Sequence, residues 1–149
     1  LQADEEQLLR RSFMLSADNA HGLHPNHPEL SDGNNAPILN GGVVLKFNAN
    51  LRYATDGMSA AVLRKVCQKA DVPVQTYYNR ADLPGGSTLG SLSLAQVAVP
   101  TADIGIAQLA MHSCYETAGV KDIAYLQAAM QAYYGSSLCV AADGSFALK

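Results

Sequence analysis

Few charges, few cysteines and no long apolar run mark this sequence, and each scarcity excludes something. Charged residues make up only 15% of the 149 and hydrophobic ones 48%, a balance that excludes a disordered chain and predicts a folded core. The ten Lys and Arg residues are scattered against thirteen Asp and Glu, giving a net charge of −3, so there is no basic footprint for nucleic acid. Three cysteines, Cys67, Cys114 and Cys139, stand far apart with no C-x-x-C pair and no signal-like N-terminus. Reduced thiols in the cytoplasm are the expectation. No apolar run approaches the roughly 20 residues that span a bilayer. There is no internal repeat and no low-complexity segment. The chain opens on Leu1 without an initiator Met and enters a helix-like run at once, which suggests a piece of a longer protein.

What is present reads as alternating strands and helices. Residues 3–11 favour a polar helix in which Glu5-Glu6 belongs to a solvated face. Phe13-Met14-Leu15 reads as a short strand ending at Asp18. Residues 19–42, with three Pro, four Gly and five Asn, read as a long loop. Val43–Phe47 is a strand. Asp56 caps a helix over 57–70 whose inward face is Met58, Ala61, Val62, Val66 and Ala70. Val72–Tyr78 is a strand weakened by Pro73. A turn at 84–88 leads into a helix over 88–96, and Val97–Pro100 and Asp103–Ile106 are short strands or strand-like connectors. A last helix over 121–134, with Ile123, Leu126, Met130 and Tyr133 on one stripe, stops at Gly135. Residues 136–149 read as a loosely held tail. Alternation of this kind predicts an α/β fold, and the continuous apolar strands predict helices over both sheet faces.

Four features could carry chemistry. Asp18 ends a strand and is followed by His21, and strand ends are where ligands bind in such sheets. Lys46, Arg52 and Tyr53 cluster near another strand end. Gly85-Gly86-Ser87-Thr88 presents backbone N–H groups at a helix start, suited to an anion. His112 stands in a segment of small and apolar residues. Taken singly, each has an ordinary structural explanation: a cap, a bend, a hydrogen-bonded core histidine. His21, His24 and His27 recur every third residue, but Pro25 and Pro28 break any helix there and no Cys or carboxylate completes a tetrahedral set, so no zinc is assigned to them.

Taken in order, the motifs resemble one family. Ser16-Ala17-Asp18-Asn19-Ala20-His21-Gly22-Leu23-His24-Pro25-Asn26 resembles the S-x-D-x-A-H-x-x-H-P-N signature of aspartyl aminopeptidases, two-zinc exopeptidases. Gly42–Asn48 with Arg52–Thr55, Arg80–Asp82 with Gly86–Gly90, and Asp103–Gly105 with Gln108–Ser113 resemble three further blocks, so that residues 11–135 match within one domain, 1–149. Asn19 stands for the usual Met, Ser91 for the usual Pro, and the loop after His27 is short.

The resemblance implies a three-layer α/β/α sandwich with a mixed sheet, present as the C-terminal half of a zinc-peptidase catalytic domain. It implies two zinc ions per complete site, with Asp18 a ligand of one and His112 a ligand of the other. His21, Lys46, Tyr53, Gly86, Ser87 and Thr88 would line the substrate pocket, with Lys46 favouring peptides that begin with Asp or Glu. The family's general-base Glu, bridging Asp and remaining ligands have no counterpart in these residues. The expectation is therefore an aminopeptidase piece inactive alone, homo-oligomeric when complete and needing its N-terminal half. Other readings are that half supplied in trans, a non-catalytic binding or assembly module keeping the fold, and a small α/β ligand-binding domain.

Overall fold

A computed structural model describes residues 2–141 and 145–149. The order of elements is α1 (Gln2–Arg10), β1 (Met14–Ala17), β2 (Ala20–His21), a single 3-10 turn (Pro28–Leu30), β3 (Val43–Phe47), α2 (Gly57–Lys69), β4 (Val74–Tyr78), α3 (Leu89–Gln96), β5 (Thr101–Gly105), β6 (Ala107–Leu109), β7 (Thr117–Ala118), α4 (Val120–Tyr134), β8 (Leu138–Val140) and β9 (Phe146–Leu148).

The main sheet has the order β1-β5-β3-β4. It is mixed: β5 runs parallel to β1, with Ser16 opposite Asp103, and antiparallel to β3, with Leu45 opposite Ile104. β3 and β4 are parallel. Such a sheet needs cover on both faces, and the alternation along each strand shows what supplies it. Val43, Leu45, Ala102 and Ile104 point to one side, where they pack with Ala60, Leu63 and Cys67 of α2 and Ala129 of α4. Val44 points to the other, among Ala20, Tyr53, Tyr77 and Ala107. Helix α3 lies on this second face, close enough that a Cβ on Gly90 would meet the side chains of Ser16 and Asp103. The result is a three-layer α/β/α sandwich.

Beyond Ala17 the β1–β5 ladder continues rather than stopping. Asp18, Ala20 and Gly22 donate their N–H groups to the carbonyls of Ile104, Ile106 and Gln108 at 2.8–3.0 Å. This carries the pair into a small sheet of order β2-β6-β7. The segment 19–42 therefore contains a strand and a 3-10 turn, where composition predicts only a loop. Two-residue pairing is set by β6, not by local propensity.

Other boundaries also shift for physical reasons. Residues 97–100 are not a strand: Pro100 has no N–H for a ladder, so β5 begins after it while the Pro100 carbonyl accepts from Met14 N–H. Asp56 caps α2 as predicted, in a reciprocal box with Ser59. Of its expected inward face, Val62 and Val66 are buried and Ala70 packs against the core, and Ser59, Ala60, Leu63 and Cys67 complete that face in place of Met58 and Ala61. Met58 and Ala61 turn toward the β8–β9 hairpin, with which they line a groove. On α4, Ile123 is 60% exposed and the buried positions are Asp122 and Ala129. Asp122 serves as a fastener, accepting from the N–H groups of Asn40 at 2.6 Å and Gly42 at 2.9 Å. The segment after Gly135 forms the β8–β9 hairpin, with Leu138 opposite Leu148, instead of a loose tail; its residues 142–144 lie outside the described ones.

Candidate active site

Asp18 sits where β1 hands over to β2. Gly105 permits this approach, because a Cβ there would overlap the Asp18 carbonyl. The carboxylate is open to solvent, its side chain 60% exposed, whereas Lys46 of β3, directly beneath, is only 1% exposed. The Lys46 ammonium reaches Asp18 O at 2.9 Å, Asp18 Oδ2 at 3.2 Å and Asn19 O at 3.3 Å. The Tyr53 ring covers it at 4.9 Å. A buried ammonium is costly unless its donors are matched, and here three oxygens match them. Burial pulls the Lys46 pKa below its ordinary value while Asp18 opposes the shift. Burial likewise raises that of the Tyr53 phenol, which donates to Asn79 Oδ1 at 3.2 Å.

Asp18 opens onto a cleft of about 610 Å³ walled by β1, by Ser87, Thr88 and Gly90 at the start of α3, and by His112. His112 adopts φ 67°, next to Ala110 at φ 53°, in a tight turn closed by Ser113 N–H on the Ala110 carbonyl. Its own N–H donates to Glu116 Oε1 at 2.7 Å. Left-handed backbone at a residue with a Cβ is strained, and such strain concentrates at functional sites. Here it presents an imidazole to the cleft.

His21 lines a neighbouring cavity of about 290 Å³ together with Gly86, His24, His27 and Arg80. The two spaces meet at the glycine turn, where Gly86 borders one and Ser87 the other. The His21 pKa is lowered, first by desolvation, then by the nearby charges of His112 and Lys46, with Asp18 opposing. The structure thus gathers Asp18, Ser87, Thr88 and His112 on one cleft and His21 and Gly86 on the next. Lys46 and Tyr53 lie under the floor and border neither. His24 and His27 are engaged locally: His24 Nδ1 accepts from Asn26 N–H and His27 Nδ1 contacts Glu29 Oε1. Glu5 and Glu6 are exposed on α1.

One residue at this site carries no role in the sequence reading. Asp103 is fully buried, and its carboxylate binds Thr88 and Ala54. The available signal is a carboxylate placed directly between the apolar Ala102 and Ile104.

A carboxylate and an imidazole on one cleft are donors of the type zinc takes. Among the described residues, no group of three or more His, Cys, Asp and Glu gathers that could hold a metal. The donors fit zinc in kind, and two of them fall short of the four that a tetrahedral site takes.

Residues 1–134 match the family described as Aminopeptidase I zinc metalloprotease (M18). The chain belongs to the M18 aminopeptidase family. This M18 chain is 48% identical over 129 residues to a probable M18 family aminopeptidase 2 of Pseudomonas aeruginosa, covering 87% of the chain and 30% of that protein. It is 49% identical over 136 residues to the protein of the same description from Mycobacterium tuberculosis, covering 89% and 31%. In structure it is similar to the S. cerevisiae mApe1 dodecamer, with a TM-score of 0.78 and 29% identity over 87% of this chain and 28% of that one. This M18 chain spans about a third of the length of the curated relatives it matches.

Proposed function

We propose that these residues form one wall of a zinc aminopeptidase site that removes acidic residues from peptide N-termini. The observation that carries the reading is the opening of Asp18 and His112 onto one cleft in a chain of M18 membership. Asp18 would hold one zinc through its carboxylate and His112 a second through its imidazole. When bound, zinc polarises the scissile carbonyl and lowers the pKa of a bound water.

This chain's own residues do the rest of what is assigned to it. Lys46 fixes the Asp18 strand end and contributes positive charge below the cleft floor. With Asp18 engaged as a metal ligand, the Lys46 ammonium would favour an incoming carboxylate side chain. Tyr53 shields Lys46 from water. The backbone of Gly86, Ser87 and Thr88 borders the peptide, and His21, neutral at pH 7 given its lowered pKa, serves as a hydrogen-bonding partner. No residue here is assigned as general base. That Glu, the bridging Asp and the other ligands would come from sequence outside these 149 residues, so the chain alone is inactive.

No described helix is long and apolar enough to cross a membrane, and Cys67, Cys114 and Cys139 are unpaired; both suit a cytoplasmic enzyme. A dodecameric relative supports homo-oligomerisation of the complete protein.

The test is zinc titration by calorimetry with hydrolysis of an N-terminal Asp peptide, on the 149 residues and on a protein extended to the length of the relatives. The expected result is weak zinc binding and no turnover for the first, tight binding and turnover for the second. An extended protein that binds zinc but cleaves nothing would instead support a non-catalytic module.

A further inference from the structure

Asp103 is a buried carboxylate that the proposed chemistry does not use. It is fully buried, yet its hydrogen-bond donors are a hydroxyl and an amide: Thr88 Oγ1 at 2.7 Å on Oδ1 and Ala54 N–H at 2.5 Å on Oδ2. Burying an ionised carboxylate is costly, and an apolar side chain would fill the site at less cost. What the carboxylate adds is geometry. Hydrogen bonds to a charged acceptor are short and strong, and these two run in different directions to two different loops.

Three further observations converge on it. Thr88 is the N-cap of α3 but makes no side-chain capping bond, because its hydroxyl is turned to Asp103. Helix α3 presses onto the same group, since a Cβ on Gly90 would lie 2.6 and 2.7 Å from the two carboxylate oxygens. The Asp103 N–H donates to Thr55 Oγ1 at 2.8 Å, securing the loop that carries Tyr53 a second time. The next residue on β5, Ile104, accepts from Asp18 N–H. One strand therefore touches the end of β1, the glycine turn and the Tyr53 loop.

We infer that Asp103 is a positioning residue whose carboxylate, by binding Thr88 and Ala54 together, holds the Ser87–Thr88 end of the glycine turn against the Asp18–His112 cleft and ties it to the Tyr53 loop beneath the floor. The inference rests on that cleft being the peptide site. Asp103 touches neither metal nor peptide, and its effect is on how well the turn receives substrate.

The experiment uses the complete protein carrying these residues, with Asp103→Asn, Thr88→Val and Thr88→Ser. Asn keeps the shape and sets an amide NH2 against one of the two donors. Val removes the hydroxyl at constant volume, and Ser keeps it. The expected result is a KM raised about tenfold in Asp103→Asn and Thr88→Val, with kcat within about twofold. Zinc affinity is unchanged, Thr88→Ser recovers most of the KM change seen in Thr88→Val because it keeps the hydroxyl on Asp103, and amide exchange in Asp103→Asn and Thr88→Val is faster at residues 87–90 and Ala54 than elsewhere. A lowered Tm with unchanged KM and unchanged exchange at those amides would overturn the inference and leave Asp103 a plain stability element. If the wild-type protein cleaves no peptide, the proposed function falls and the exchange comparison decides alone. Faster exchange confined to 87–90 and Ala54 then upholds the positioning role, and unchanged exchange rejects it.

Discussion

Lys46 directs its ammonium to three oxygens of a two-residue strand end, with an aromatic ring over it. Groups that orient a metal ligand affect affinity without touching the metal. Lys46→Met keeps the length of the side chain and removes the donors. In the complete protein it should lower zinc affinity by about 10- to 100-fold with the fold retained, as read by competition with a chelator. Unchanged affinity would mean that the β1–β5 ladder alone orients Asp18. His21 gives a pH signature. Its folded-state pKa lies below the ordinary 6.5 because of desolvation, then His112 and Lys46. Between the two values the unfolded chain binds more protons, so stability rises with pH up to about 6.5 and is lost on acidification below it. An NMR titration of the His21 ring should give a midpoint under 6.5, and one at or above it contradicts the crowding described.

Elements are placed by a few special contacts more than by propensity. Gly42 opens β3 at φ 106°, and a Cβ there would overlap the Pro73 carbonyl, which accepts from Val43 N–H at 3.0 Å. Gly42→Ala is thus both strained and overpacked and should destabilise the fold by more than about 2 kcal/mol, seen as a lower urea midpoint. A midpoint within error of wild type would show that the β3–β4 start can shift to make room. At this scale the sequence was readable where the signal is local. The helix over 57–69 follows from Asp56 and its period, and β3 from an apolar run broken only by Lys46. It was unreadable where the partner is remote: the inward face of α2 depends on the β8–β9 hairpin meeting Met58 and Ala61, and β2 exists only because β6 lies beside it.

At the scale of the whole molecule, one group of exposed apolar side chains gathers on and after α3. Leu89, Leu92, Leu94 and Val97 on and after α3 are exposed, and Leu89, Leu92 and Val97 line grooves shared with β1, an edge strand of the main sheet. Leu92 and Val97 border a groove with Leu9 and Met14. Exposed apolar patches and free strand edges both favour association. The 149 residues alone should therefore self-associate in light scattering, and charged substitutions at Leu92 and Val97 should reduce it. A clean monomer near 15.7 kDa would show that this face is adequately solvated as it stands.

By itself the sequence determined the fold class and the order of the motifs, because capping, apolar periodicity and Gly or Pro placement act within a few residues. It also presented Asp18, His21, Lys46 and His112 as chemistry in search of a site. Only the tertiary structure decided which of them share a space. Parallel pairing of β1 with β5 brings Asp18 to the cleft that His112 enters from a left-handed turn, while the inward register of β3 buries Lys46 under the floor. Asp103 gained its place the same way: its burial and its two partners, 15 and 49 residues away in sequence, are properties of the packed layers that no local pattern encodes.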